Sequence, residues 1–177
     1  VSVKFRIGLD REHLVTEEFA KRMEGAGADM LTIHGRTRDQ VYAGDVDFDE
    51  IAKAKRAVKI PVIANGGVTD EAGAQKLLDE TGADGVMVAR GALWDPQIFA
   101  DLTGRKRGSK KAMILEQLDD TAKLFSPHFT TVFMRKMVTF YIRGMRDCVR
   151  YKERLFAAAN REEIENLVEE IFSAQEI

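Results

Sequence analysis

Four short apolar runs punctuate the first part of the chain: Val3–Ile7, Met30–Ile33, Pro61–Ala64 and Gly85–Ala89. Each is strand-compatible and too short for a buried helix. Segments of helical period lie between them, at Glu17–Glu24, Phe48–Val58 and Asp70–Asp79, and Pro96–Leu102 follows the last. Strands alternating with helices predict parallel βαβ units, joined by connections too short to hold another fold. Gly27-Ala28-Asp29 before the second run and Gly82-Ala83-Asp84 before the fourth repeat one device. In each, a glycine ends a helix in the left-handed region and the chain then enters a buried strand.

Repetition of the unit favours a barrel over an irregular sheet. Closure takes eight units, and four are present. The expected fold class is therefore α/β: the C-terminal half of a TIM (β/α)8 barrel (the last four βα units) over 1–104, followed by an all-α helical domain over 105–177. Alone, the first and last strands would leave open edges, a liability in water. The preceding four units are expected to lie outside this chain, or to be supplied by a second copy of it. The start at Val1-Ser2-Val3, without Met and directly in strand sequence, reads as a fragment or a processed product.

After Leu102 the pattern changes. Thr103–Lys111 is Gly, Ser and basic residues, a plausible linker, and from Ala112 onward only helical period remains. Met134, Val138, Tyr141, Met145 and Cys148 step by 4, 3, 4 and 3, which predicts one apolar face on one helix. Ile164, Leu167, Val168 and Ile171 repeat the pattern, and Asn160 ahead of Arg161-Glu162-Glu163 is a fair N-cap. Three or four helices are expected in all.

Composition adds two exclusions and one asymmetry. No apolar run approaches the roughly 20 residues of a membrane span, and no signal-peptide pattern is present. The single Cys, Cys148, rules out an internal disulfide and fits a reducing cytoplasm, while three scattered His give no zinc-ligand spacing. The net charge of −2 conceals a basic block: residues 105–154 hold 13 Lys/Arg against 5 Asp/Glu. Lys136, Arg143, Arg146, Arg150 and Arg154 step by 7, 3, 4 and 4, one stripe on a continuous helix, suited to a polyanion such as a nucleic-acid backbone. The alternative is a solvated face paired locally with acids.

In parallel barrels the reactive groups sit at the C-terminal ends of the strands, so the residues closing each run are the candidates. Lys4 and Arg6 share one side of their strand, where a cation needs an anionic partner, either a ligand or an internal carboxylate. His34, followed by Gly35, Arg36, Thr37 and Arg38, is placed to meet an anion, and Arg can bind phosphate bidentately. Asn65-Gly66-Gly67 and Ala89-Arg90-Gly91 follow the third and fourth runs. A Gly-rich loop and then an Arg-Gly loop match the phosphate site that barrels commonly build after strands seven and eight.

Val3-Lys4-Phe5-Arg6, the run Leu31 to Arg38, Pro61 to Gly67 and Thr81 to Gly91 together resemble the tRNA-dihydrouridine synthases, in their bacterial type B-like branch. The likeness continues through Met134-Arg135-Lys136 and Tyr141 to Gly144. The resemblance implies an FMN enzyme that reduces uracil in tRNA to 5,6-dihydrouracil, with NADPH recharging the flavin. It implies that Lys4 and His34 contact the flavin or the uracil pocket. Asn65, Gly66 and Gly67, with Ala89 and Arg90, would hold the cofactor phosphate. Arg36 and Arg38 would meet the tRNA backbone. Gly67 stands where many relatives carry Asp, and Ala89 where Gly is common; both are small, so phosphate binding is expected to persist. The Cys that acts as general acid in the family belongs to the half-barrel absent here. No catalytic residue is therefore expected in this chain, which alone is expected to be inactive. Cys148, on the apolar side of a helix, is no substitute. Two other readings fit the residues: another FMN-dependent TIM-barrel oxidoreductase, and a non-catalytic RNA-binding module.

Overall fold

The computed structural model describes residues 1–175 and divides into two compact units, Val1–Gly91 and Ala92–Ile177. The first unit holds β1 (Ser2–Arg6), α1 (Thr16–Gly25), β2 (Met30–His34), α2 (Phe48–Ala57), β3 (Val62–Asn65), α3 (Glu71–Thr81) and β4 (Gly85–Met87). The strands pair in parallel in the order β1-β2-β3-β4, so β1 and β4 are edges. Side chains alternate between faces along each strand. Leu31, Ile33, Val62 and Ala64 are fully buried on one face, as are Ala20, Ile51 and Ala54 of the helices. α1 lies against α2, and α2 against α3.

Helix ends follow local chemistry. The Asp47 and Asp70 carboxylates accept the Glu50 and Gly73 N–H groups at the starts of α2 and α3. Gly82 closes α3 at φ +64, which only glycine adopts without cost, as its place before the fourth strand led us to expect.

The second unit contains four helices of ten residues or more: α6 (Lys110–Leu124), α7 (Pro127–Tyr141), α8 (Cys148–Ala157) and α9 (Arg161–Ser173), preceded by α5 (Ile98–Leu102). A five-residue α4 (Arg90–Trp94) crosses the division between units. Ser109, Ser126 and Asn160 cap α6, α7 and α9. The core is aliphatic: Ile114, Leu118, Met134, Val138, Ile142, Leu155, Ile164, Val168 and Ile171 are fully buried. Among the described residues no helix is long and apolar enough to cross a membrane.

Two expectations are corrected. The division falls after Gly91 and not at 104, and Thr103–Lys111 is not a free linker. Arg107 bridges Asp95 (2.7 Å) and Asp101, and the Gln97 amide donates to the Gly108 carbonyl (2.9 Å), which ties the segment to α5. The expected single helix through Met134 and Cys148 is in fact two. α7 stops at Tyr141, and Gly144 (φ +83) and Asp147 (φ +55) turn the chain before α8. Left-handed residues cannot continue a right-handed helix. Met134, Val138 and Tyr141 face the core from α7, while Met145 packs from the turn and Cys148 from the start of α8.

Candidate functional site

The register fixes which side chains share the other sheet face. Lys4, Thr32, Ile63 and Gly85 form one row, and Arg6, His34, Asn65 and Met87 form the next, at the C-terminal ends of the strands. Asn65 Nδ2 donates to the Met87 carbonyl (2.8 Å), pinning β3 to β4. Arg6 donates from Nη1 to the Thr37 carbonyl (2.8 Å) and from Nη2 to the Val41 carbonyl (2.7 Å). Arg36 Nε donates to the Gly44 carbonyl (3.0 Å). Two polar atoms in this group are buried without a partner: His34 Nε2 and Arg36 Nη1. Buried polar atoms are nearly always satisfied, so an orphaned pair at one strand end calls for a reason.

The electrostatics sharpen the point. None of the salt bridges among the described residues involves Lys4, Arg6, Arg36 or Arg90. Burial, and then the charges of Arg6, Lys4, Arg36 and Arg90, push the His34 imidazole down to about 4, so it is neutral at ordinary pH. Burial, then Arg90 and Arg6, lower the Arg36 guanidinium, against a small opposing pull from Asp45. Burial, then Arg6, lower the Lys4 ammonium. Like charges without acids between them raise one another's energy, and an anion relieves all of them together.

Glycines set the backbone at this end of the sheet. Gly66 (φ +136) and Gly67 (φ +73) follow β3. A Cβ at Gly66 would lie 2.9 Å from Val46 Cγ2 and 3.2 Å from His34 Cδ2. A Cβ at Gly91 would lie 2.5 Å from the Val68 carbonyl oxygen. Glycine thus lets the β3 and β4 loops touch at one end of the sheet. The structure brings Lys4, His34, Arg36, Asn65, Gly66, Gly67, Ala89 and Arg90 to that end, with Arg38 exposed beyond them. One neighbour of the cluster escaped the sequence analysis: Tyr42, whose ring lies 4.3 Å from the Arg90 guanidinium carbon, sits in a loop without period and carried no signal.

The basic residues of the second unit do not form the expected helical stripe. Lys136 is on α7, Arg143 and Arg146 lie in the turn, and Arg150 and Arg154 are on α8, so the break at Gly144 and Asp147 destroys the common periodicity. Arg154 makes two hydrogen bonds to the Glu170 carboxylate (2.5 and 2.6 Å). The Arg143 guanidinium lies over the Trp94 ring, 4.4 Å from its centre.

Comparison with known proteins decides the family. The dihydrouridine synthase (Dus) family model matches residues 1–177. The chain belongs to the dihydrouridine synthase family. It is 35% identical to the probable tRNA-dihydrouridine synthase 1 of Synechocystis sp., over 100% of this chain and 52% of that protein. It is 49% identical to the probable tRNA-dihydrouridine synthase of Rhodobacter capsulatus over 59% of this chain and 34% of that protein. Against the tRNA-dihydrouridine synthase B of Escherichia coli (strain K12) identity is 45%, over 58% of this chain and 32% of that protein. The chain thus spans about half the length, or less, of these dihydrouridine synthase relatives.

Proposed function

We propose that this chain is the cofactor-phosphate half of a flavin-dependent tRNA-dihydrouridine synthase. It would supply the last four units of a TIM barrel and a helical tRNA-binding unit to an enzyme that reduces uridine in tRNA with NADPH. The observation that carries the reading is the orphaned pair, His34 Nε2 and Arg36 Nη1, set among cations that have no carboxylate partner.

These residues suit FMN. A phosphate monoester answers the surplus of positive charge, and Gly66, where a Cβ would crowd Val46 and His34, keeps the backbone beside His34 bare. Lys4, one row below on the same face, would hold the flavin ring or the uracil edge. Neutral His34 offers a hydrogen bond there without adding a further charge. These residues would hold FMN, which when bound would supply hydride chemistry for uracil C6, with NADPH as the reductant. The proton for C5 would come from a cysteine in the remaining half-barrel. Cys148 packs against the helical core, so it serves structure. Arg38 at the rim, and Lys136, Arg143, Arg146 and Arg150 on the helical unit, would meet the tRNA backbone, whereas Arg36, expected there from the sequence, is buried and would serve the phosphate, and Arg154 is occupied by Glu170.

The test is to purify the enzyme containing this chain, measure its flavin content, and incubate it with unmodified tRNA and NADPH. Bound FMN and dihydrouridine in the tRNA are expected, and the 177-residue chain alone is expected to form none. Enzyme that carries no flavin, or that leaves tRNA unchanged, would contradict the reading.

A further inference from the structure

The segment between β2 and α2 is closed at its neck, where Asp47 N–H donates to the Gly35 carbonyl (2.7 Å). It is a compact loop with its ends together, the Ω type often found at functional sites. Its base is fixed: the Arg38 and Asp39 N–H groups donate to the Gly8 and Leu9 carbonyls (2.9 and 3.0 Å), and Thr37 N–H donates to Gln40 Oε1 (2.9 Å). At its tip Val41 sits at φ +49, an outlier for a β-branched residue. Such strain persists only where the surroundings over-determine it, and it clusters at functional sites.

The strained residue has two visible consequences. The Val41 carbonyl accepts from Arg6 Nη2 at 2.7 Å. The next ring, Tyr42, lies against the Arg90 guanidinium, 4.3 Å from Cζ to the ring centre, with Arg6 5.8 Å away. Hydrophobic packing does not account for the arrangement, because Val41 and Tyr42 are 55% and 56% exposed.

We propose that Tyr42 is a positioning residue: its ring holds Arg90 in the orientation that receives the phosphate of a bound nucleotide, and left-handed Val41 is what places the ring. This rests on the phosphate-site reading above. An unpaired Arg among other cations would otherwise turn toward water. A carboxylate could hold it, but would then compete with the phosphate for the same guanidinium. An aromatic ring attracts the cation through its quadrupole and leaves the net charge intact. The carbonyls of Thr37, Val41 and Gly44 do the same for Arg6 and Arg36, as dipoles without charge. Arg6, Arg36 and Arg90 are thus each steered by a neutral partner and remain available to an anion.

The test compares FMN with riboflavin, titrated by flavin fluorescence into the apo form of the enzyme containing this chain. Tyr42→Phe retains the ring and is expected to keep the wild-type preference for FMN. Tyr42→Leu is expected to weaken FMN about tenfold and leave riboflavin unchanged, since only the phosphate contact is lost. Equal weakening of both ligands would mean that Tyr42 merely supports the loop, and no weakening of either would mean that Arg90 needs no guide. Each result overturns the proposal. A wild-type enzyme that binds riboflavin as well as FMN would overturn the phosphate reading itself, and that failure is visible before any substitution is made.

Discussion

In the helical unit Arg154 is bidentate on Glu170, Arg161 reaches Asp119 and Glu165, and Lys111 meets Glu169. At the strand ends of the other unit Arg6 and Arg36 meet carbonyls and Arg90 an aromatic ring, while Lys4 feels the like charge of Arg6. The helical core is closed and aliphatic, whereas the sheet turns a row of polar side chains away from its helices. Charges that serve structure come here with counter-ions, and the proposed site explains why the strand-end cations come without them. A cluster that gives up stability until an anion arrives is a site in waiting, whereas paired surface charges are close to neutral in energy.

The contrast can be broken by substitution. The largest effect is expected in the helical core, where Leu155→Ala should cost about 2–5 kcal/mol in denaturant unfolding, because a fully buried side chain leaves a cavity. Arg36→Met should act in the opposite direction. Removing a buried, half-partnered cation from among like charges is expected to hold or raise the stability of the ligand-free protein, by roughly 1 kcal/mol. The same substitution should abolish most of the stabilisation conferred by phosphate or FMN, read as the ligand-induced shift in Tm. A ligand-free Arg36→Met protein much less stable than wild type would show the cluster to be structural.

The smallest effects separate the cations of the helical unit. Arg143→Ala and Arg146→Ala in the whole enzyme should each lower the salt slope of tRNA binding, by about one unit for each lost phosphate contact. Arg154→Ala should leave the slope alone and cost only about 0.2–1 kcal/mol of stability, the usual range for an exposed pair. Equal slopes for all three variants would erase the distinction drawn from Glu170.

What the sequence revealed follows physical range. The four strands, their parallel order and the glycines before β2 and β4 were legible because periodicity and turn chemistry are local. That His34 and Asn65 end their strands, and that Gly66 and Arg90 follow β3 and β4, was legible from the same local signals. The break between α7 and α8 was missed: Met134, Val138, Tyr141, Met145 and Cys148 keep apolar helical spacing across it, and Gly144 and Asp147 signal a turn only weakly against that pattern. Arg107 looked like linker because its partners, Asp95 and Asp101, lie on the far side of the expected boundary. Tyr42 meets Arg90, which is distant in sequence, and no one-dimensional pattern marks that contact.

The central claim, an anion site built from uncompensated cations, is tested most directly by titrating His34 by NMR with and without inorganic phosphate. In the ligand-free protein the folded imidazole should hold a proton only near pH 4, against an ordinary value of 6.5. The unfolded chain then takes up that proton first, so this group's contribution to stability is present above about pH 6.5, declines as pH falls toward 4, and changes no further below. Phosphate bound beside the ring should raise the value by roughly one unit or more, because a nearby opposite charge favours the protonated form. A His34 that titrates near 6.5 and does not respond to phosphate would contradict the account.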